Sequence, residues 1–138
     1  MMFLLDTNVV SELRKQTRMS KDVKNWIEGV SLSTLFLSAI TILEVEIGAQ
    51  RIARRDRKQG DHLLRWIEVG LMSAFAGRII PVDVAVARRS AALHVPDPRP
   101  ERDALIAGTA LVHGLTLVTR NVRDFAKMGV AVVNPFEV

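Results

Sequence analysis

FLLDTNVVSEL, Phe3–Leu13, sets three apolar residues directly against a carboxylate, Asp6. The apolar run has the length of a short strand, and Asp6 is placed to cap a helix beginning near Asn8. Four further runs of the same kind follow at Leu35–Ser38, Ile79–Val82, Leu115–Thr119 and Val130–Val133. Each is short and nearly continuous, the pattern of a strand covered on both faces. The segments between them have helical period. Lys21–Glu28 carries Val23, Trp26 and Ile27 on one side, and Ile40 to about Arg57 carries Leu43 and Ile47 before a basic run. His62–Phe75 sets Leu63, Leu64, Ile67, Leu71 and Phe75 at helical spacing, and Val84–Leu93 and Glu101–Val112 complete the set. Strands alternating with helices predict an α/β fold: a mostly parallel sheet of about five strands, flanked by helices, with right-handed crossovers. The consecutive helices between residues 40 and 76 predict an αα-hairpin, and the proline-rich stretch from Pro96 to Pro100 an exposed loop.

A chain of 138 residues predicts one domain, residues 1–138. Hydrophobic residues make up 49% and charged residues 25%, which argues against disorder. With no cysteine, disulfide scaffolds, thiol catalysis and cysteine-held zinc or iron–sulfur centres are excluded. His62, His94 and His113 are too scattered to form a metal motif. The apolar start has no basic region before it and is interrupted at Asp6, unlike a signal peptide. No run reaches the roughly 18 apolar residues of a membrane span, so a cytoplasmic protein without membrane contact is expected. Net charge is +4, and arginine supplies 14 of the 19 basic residues. Guanidinium grips phosphate through a planar fork, so this bias leans toward nucleic acid or an acidic partner. The densest run, Arg51, Arg54, Arg55, Arg57 and Lys58, reads first as a solvated helix face.

In an open α/β sheet, ligands bind outside the carboxyl ends of the strands. Four acids fall there. Asp6 ends the first strand, and Glu44 lies in the first turn of the helix after the second. Asp103 lies in the first turn of the helix after the proline loop, and Asp124 one turn beyond Asn121, after the fourth strand. Each has a local explanation: a cap at Asp6, a capping box in Thr41-x-x-Glu44, a helix-dipole contact at Asp103, an N-cap arrangement at Asn121 and Asp124. The set asks for more. Like charges about 4 Å apart repel by about 4 kcal/mol at an effective dielectric of 20, so a cluster raises its own pKa values unless a cation joins it. Carboxylates alone suit magnesium or manganese completed by water, and such an ion can hold a phosphate oxygen and generate hydroxide. Asp83 reads as a helix cap, and Glu46 as pointing away from Glu44.

LLDTNVVSEL (Leu4–Leu13), TILEVEIG (Thr41–Gly48), RDALIAGTA (Arg102–Ala110) and TRNVRDF (Thr119–Phe125) resemble, in order and spacing, the motifs of PIN-domain ribonucleases. They are most similar to the VapC toxins of type II toxin–antitoxin modules, in their FitB-like branch, and the resemblance covers nearly the whole chain. It implies a three-layer α/β/α sandwich, Mg2+- or Mn2+-dependent cleavage of RNA, a homodimer, and a cognate antitoxin through which alone the protein meets DNA. Matched position by position, it implies metal-binding roles for Asp6 and Asp103. Glu44 and Asp124 complete the catalytic ring, through water or a second ion. Asn8, Thr41, Thr119 and Asn121 are the supporting polar residues. A weaker nucleic-acid footprint falls on Arg51, Arg54, Arg55 and Arg120. One departure is Gly108, where alanine is more usual; it costs about 1 kcal/mol of helix propensity.

Other classes fit less well. A receiver-like regulatory domain also gathers acids and magnesium at a sheet edge, but it wants an acidic pair after strand one and a lysine after a late strand. Here Asp6 is followed by Thr7 and Asn8, and the late strand ends Thr119-Arg120-Asn121. An aspartyl-nucleophile phosphatase needs Asp-x-Asp, and position 8 is asparagine. A module of this fold that binds nucleic acid or a partner without turnover is opposed only by the presence of all four acids. Trp26 and Trp66 read as dimer anchors or as ordinary core.

Overall fold

Every strand of the computed structural model, which describes residues 1–137, runs parallel to its neighbours. The strands are β1 (Phe3–Leu5), β2 (Leu35–Ser38), β3 (Ile79–Ile80), β4 (Thr116–Val118) and β5 (Val132–Val133), in the spatial order β3-β2-β1-β4-β5. Phe3 lies beside Leu35 and Thr116, and Leu4 beside Phe36 and Leu117. The sheet is wholly parallel rather than mostly so. The chain winds outward from β1 to β3, then returns to start again at β4 on the other side. The order therefore reverses between β1 and β4, and a crevice opens beyond their carboxyl ends.

The helices are α1 (Thr7–Leu13), α2 (Lys21–Glu28), α3 (Ala39–Arg55), α4 (Arg57–Arg65), α5 (Met72–Ala74), α6 (Val84–Ala92), α7 (Glu101–His113) and α8 (Val122–Phe125). Alternate side chains of each strand point to opposite faces, so the core has two halves. Phe3, Leu5, Leu35 and Leu37 pack on one side with Val9 and Val10 of α1 and with Leu71 and Phe75. Leu4 and Leu117 pack on the other with Ile106, Ala107 and Ala110 of α7 and with Phe125. This is the three-layer α/β/α sandwich, and it explains why the strands read as continuous apolar runs. Trp26 meets the Phe3 ring edge-on at 5.1 Å, and both Trp26 and Trp66 flank the first half-core. No helix among the described residues is long and apolar enough to cross a membrane.

Several local readings change. β1 and β2 keep the expected bounds, but the last three strands are shorter than their apolar runs: β3 stops before Pro81, which has no N–H for the ladder, and β4 and β5 keep only Thr116–Val118 and Val132–Val133. Thr41-x-x-Glu44 is not a capping box. Ser38, extended at the end of β2, accepts a bond from the Ile40 N–H at 3.0 Å and starts α3 three residues earlier. Thr41 is therefore inside the helix and fully buried, and Glu44 lies in the second turn. Asn121 precedes α8, but its side chain makes no capping bond. The helix read as Ile40 to Arg57 ends at Arg55, because Asp56 turns extended and caps α4 by accepting from the Gln59 N–H at 3.1 Å. The hairpin of α3 and α4 is very close: a Cβ on Gly60 would lie 2.2 Å from Ala53 Cα. α4 then runs through a π-helical turn, Trp66–Leu71, into α5. Gly108 also has a packing reason, since a Cβ there would lie 2.0 Å from Ser90 Oγ on α6. Asp83 caps α6 through the Val86 N–H at 3.0 Å, and Glu46 takes a bond from Gln50, away from Glu44.

Candidate active site

β1 and β4 end side by side, with the Asp6 N–H donating to the Val118 carbonyl at 2.9 Å. Asp6 is the N-cap of α1, so its chain direction changes at the carboxyl edge of the sheet. Its side chain is 5% exposed and fully engaged. Oδ1 accepts from the Thr7 N–H at 2.8 Å, and Oδ2 from the Thr119 hydroxyl at 2.8 Å and from Asn8 Nδ2 at 3.4 Å. Thr119 Oγ1 in turn accepts from the Asn121 N–H at 3.0 Å and from Asn8 Nδ2 at 3.3 Å. Asn8 Oδ1 accepts from the Arg120 N–H at 3.1 Å. The loops after β1 and β4 are thus laced together through Asp6, Asn8 and Thr119.

The second half of the site comes from α3 and α7. Thr7 donates its hydroxyl to Glu44 Oε1 at 2.6 Å and lies 3.4 Å from Thr41 Oγ1. Arg102 Nη1 lies 3.7 Å from Glu44 Oε2. Asp103 is half-buried in the first turn of α7, and Asp124 is exposed on α8. Burial raises the Asp6 carboxyl; the Thr119 hydroxyl and Thr7 N–H pull it back, while Glu44 and Asp124 push it up again. Asp103 is pushed up to about 6, first by burial and then by the charges of Asp6, Asp124 and Glu44. The fold therefore brings all four sequence-read acids into one electrostatic cluster.

The donor set is oxygen throughout, and after burial it is the charges of Asp6, Asp124 and Glu44 that push the Asp103 carboxyl up. A hard divalent cation fits such a set. Among the described residues no three acidic or histidine side chains close into a ready-made ligand cage. A cation would take one or two carboxylates and keep water for the rest, which is the habit of magnesium.

Sequence reading missed two contributors, Thr7 and Arg102. Each lies directly beside a noted aspartate, in the first turn of its helix, and only that adjacency pointed to it. It also missed Glu12, which is buried and accepts from Lys15 Nζ at 2.9 Å and the Ser20 N–H at 2.6 Å. Both contacts lower its pKa, the Lys15 bond most. The basic residues do not join the acids. Arg51, Arg54 and Arg55 are exposed on the last turns of α3. The Arg120 guanidinium lies 3.9 Å over the Phe136 ring, and its charge acts on Glu12.

Comparison with known proteins agrees with this geometry. The family described as PIN domain matches residues 3–131. Toxin FitB of Neisseria gonorrhoeae is 38% identical over 141 residues, covering 98% of this chain and 99% of its own. VapC ribonuclease Y4jK of Sinorhizobium fredii is 33% identical over 141 residues, covering 99% of each. The solved structure of FitAB bound to an IR36 DNA fragment superposes with a TM-score of 0.88 at 33% identity, covering 99% of this chain and 97% of that one.

Proposed function

The chain belongs to the PIN-domain family, and on that footing we propose that it is a divalent-metal-dependent endoribonuclease, the toxin of a toxin–antitoxin pair. In this reading residues 1–138 act as one PIN domain. The observation that carries it is the convergence of Asp6, Glu44, Asp103 and Asp124 at the crevice between β1 and β4. An RNA phosphate would bring further negative charge to carboxylates that already raise the Asp103 pKa beyond the effect of burial, and a bound cation would offset it.

Mg2+ or Mn2+ bound there would polarise a phosphoryl oxygen and supply hydroxide near neutral pH. Asp6 and Asp103 would hold that ion, directly or through water. Thr119 and Asn8 keep the Asp6 carboxylate in one orientation, with Asn121 contributing its backbone N–H to Thr119. Thr7 fixes one oxygen of Glu44, beside Thr41, and the other lies within ion-pair range of Arg102. Glu44 and Asp124 would complete the ring, accepting a proton from water or steadying a second ion. Asp103 is half-buried, with its carboxyl pushed up to about 6 by burial and then by its neighbours, and it would give up its proton on taking a cation. Arg51, Arg54, Arg55 and Arg120 lie outside this ring and serve at most the more distant phosphates.

The reading extends to partners. The relatives named as a toxin and as a VapC ribonuclease, and the FitAB assembly on DNA, support an antitoxin that closes the crevice and carries the pair to DNA. A homodimer in the cytoplasm completes it. The test is RNA cleavage by protein freed of co-purifying partners, with Mg2+, Mn2+ or EDTA, beside an Asp6→Asn/Asp103→Asn double variant. Cleavage that needs the metal and both aspartates is expected. Metal binding without cleavage of any RNA would replace the nuclease with a binding module.

A further inference from the structure

α3 carries a glycine, Gly48, in its interior, where glycine costs about 1 kcal/mol against alanine. Gly60 and Gly108 are required by close helix contacts, but Gly48 is not: a Cβ built there meets nothing within 4 Å beyond its own stretch of helix. The open space in front of it is a cavity of ≈ 160 Å³ that shares Thr7 and Glu44 with the carboxylate cluster. Ser11 of α1, Arg14 at its C-cap, Ile52 of α3 and Trp66 line it as well. The Ser11 hydroxyl and the half-buried Arg14 guanidinium have no hydrogen-bond or ion-pair partner among the described residues.

We propose that this cavity is a base-binding subsite, which takes the unpaired base next to the scissile phosphate of an RNA strand and prefers guanine. The proposal rests on the nuclease reading above. A base seated here leaves its own phosphate at the carboxylates, because Thr7 and Glu44 belong to both. The aromatic wall suits the face of a base, and single-stranded RNA is read in this way, by stacking and by bonds to base edges. Arg14 supplies the edge contact: guanine offers its O6 and N7 acceptors to the guanidinium fork, whereas adenine has an amino group where O6 would be. The groove lined by Leu13, Ile27, Leu32 and Phe75, by contrast, has no charged side chain and nothing to bond a base edge. Gly48 keeps the cavity open at the cost of helix propensity.

The test uses single-stranded RNAs of one sequence, varied to guanine, adenine, uracil or an abasic sugar on either side of the cut, with Mg2+. Wild type is compared with Gly48→Ala, Gly48→Leu, Arg14→Ala and Arg14→Lys. Wild type should prefer guanine on one side of the cut. Gly48→Leu should raise KM at least tenfold with kcat and Mg2+ affinity unchanged. Gly48→Ala should melt higher than wild type and show an intermediate KM, which separates filling of the cavity from damage to the fold. Arg14→Ala should lose the guanine preference; Arg14→Lys should recover affinity without recovering it. Wild-type KM and base profile in all four variants would overturn the subsite and leave the nuclease intact. Unchanged RNA kinetics with lost binding of a protein partner would make the cavity a peptide site and overturn the proposal. No cleavage by wild type would overturn the nuclease reading and the subsite with it.

Discussion

Thr119 is fully buried, and its hydroxyl serves Asp6, Asn8 and the Asn121 N–H at once. Thr119→Val keeps the shape and removes all three bonds. It should cost about 1–3 kcal/mol of stability, by urea denaturation, because buried donors lose their acceptor. It should also weaken Mn2+ binding about 10–100-fold, the usual effect of removing a group that orients a ligand. Asp103 makes a prediction of opposite kind. A carboxyl raised from 3.8 to about 6 holds its proton more tightly in the folded chain than in the unfolded one. Its contribution to stability is present at low pH and is lost as pH rises through that interval. The metal-free protein should therefore lose melting temperature between pH 4 and 6 from this group. Asp103→Asn should flatten that slope and melt higher than wild type at pH 7. Glu12 has the reverse sign: Lys15 and the Ser20 N–H hold its pKa below the ordinary 4.5. Its stabilisation is present above that value and is lost as pH falls below it, so Glu12→Gln should weaken the acid limb of the melting curve.

The helices and strands were largely legible in the sequence because both faces of the sheet are covered, so burial wrote itself into apolar runs and helical spacing. Their ends were not. Ser38 and Thr41 are both good caps by chemistry, and what chose Ser38 is the point where β2 stops pairing with β3, a tertiary fact. The four acids were legible through motif spacing. Their fixing was not, since Thr7 and Glu44 meet across 37 residues. The basic run reads first as a solvated helix face, and its arginines are exposed on α3; at about 1.5 Å per residue, Arg54 and Arg55 lie about 15 Å farther along α3 than Glu44. Gly108 reads in the sequence as a propensity loss, and the packing of helix on helix supplies the missing term there and at Gly60. Gly60→Ala sets a methyl into the Ala53 backbone and should cost about 3 kcal/mol, since backbone cannot swing aside. Gly108→Ala meets a hydroxyl that can rotate but also Ser90 Cβ at 3.1 Å, and should cost about 1–2 kcal/mol. Urea midpoints of the two variants measure both.

For the molecule as a unit, the carboxylate cluster is a local debt that the sandwich carries and a cation relieves. Mg2+ at 100 times its dissociation constant should stabilise the folded chain by about 2.7 kcal/mol, seen as a rise in melting temperature that EDTA reverses. The Asp6→Asn/Asp103→Asn variant should lack that rise while folding normally. The strand order carries a further consequence. β1 is central, but its neighbour β4 and the hydroxyl that steadies Asp6 come 113 residues later. During synthesis, which delivers the N-terminus first, Asp6 leaves the ribosome long before Thr119 and Asp124 exist. The nascent chain thus has no assembled site until residues 119–124 have been made. On the nuclease reading, the ribosome making this chain and the message it is reading are spared by that copy until Asp124 has been made.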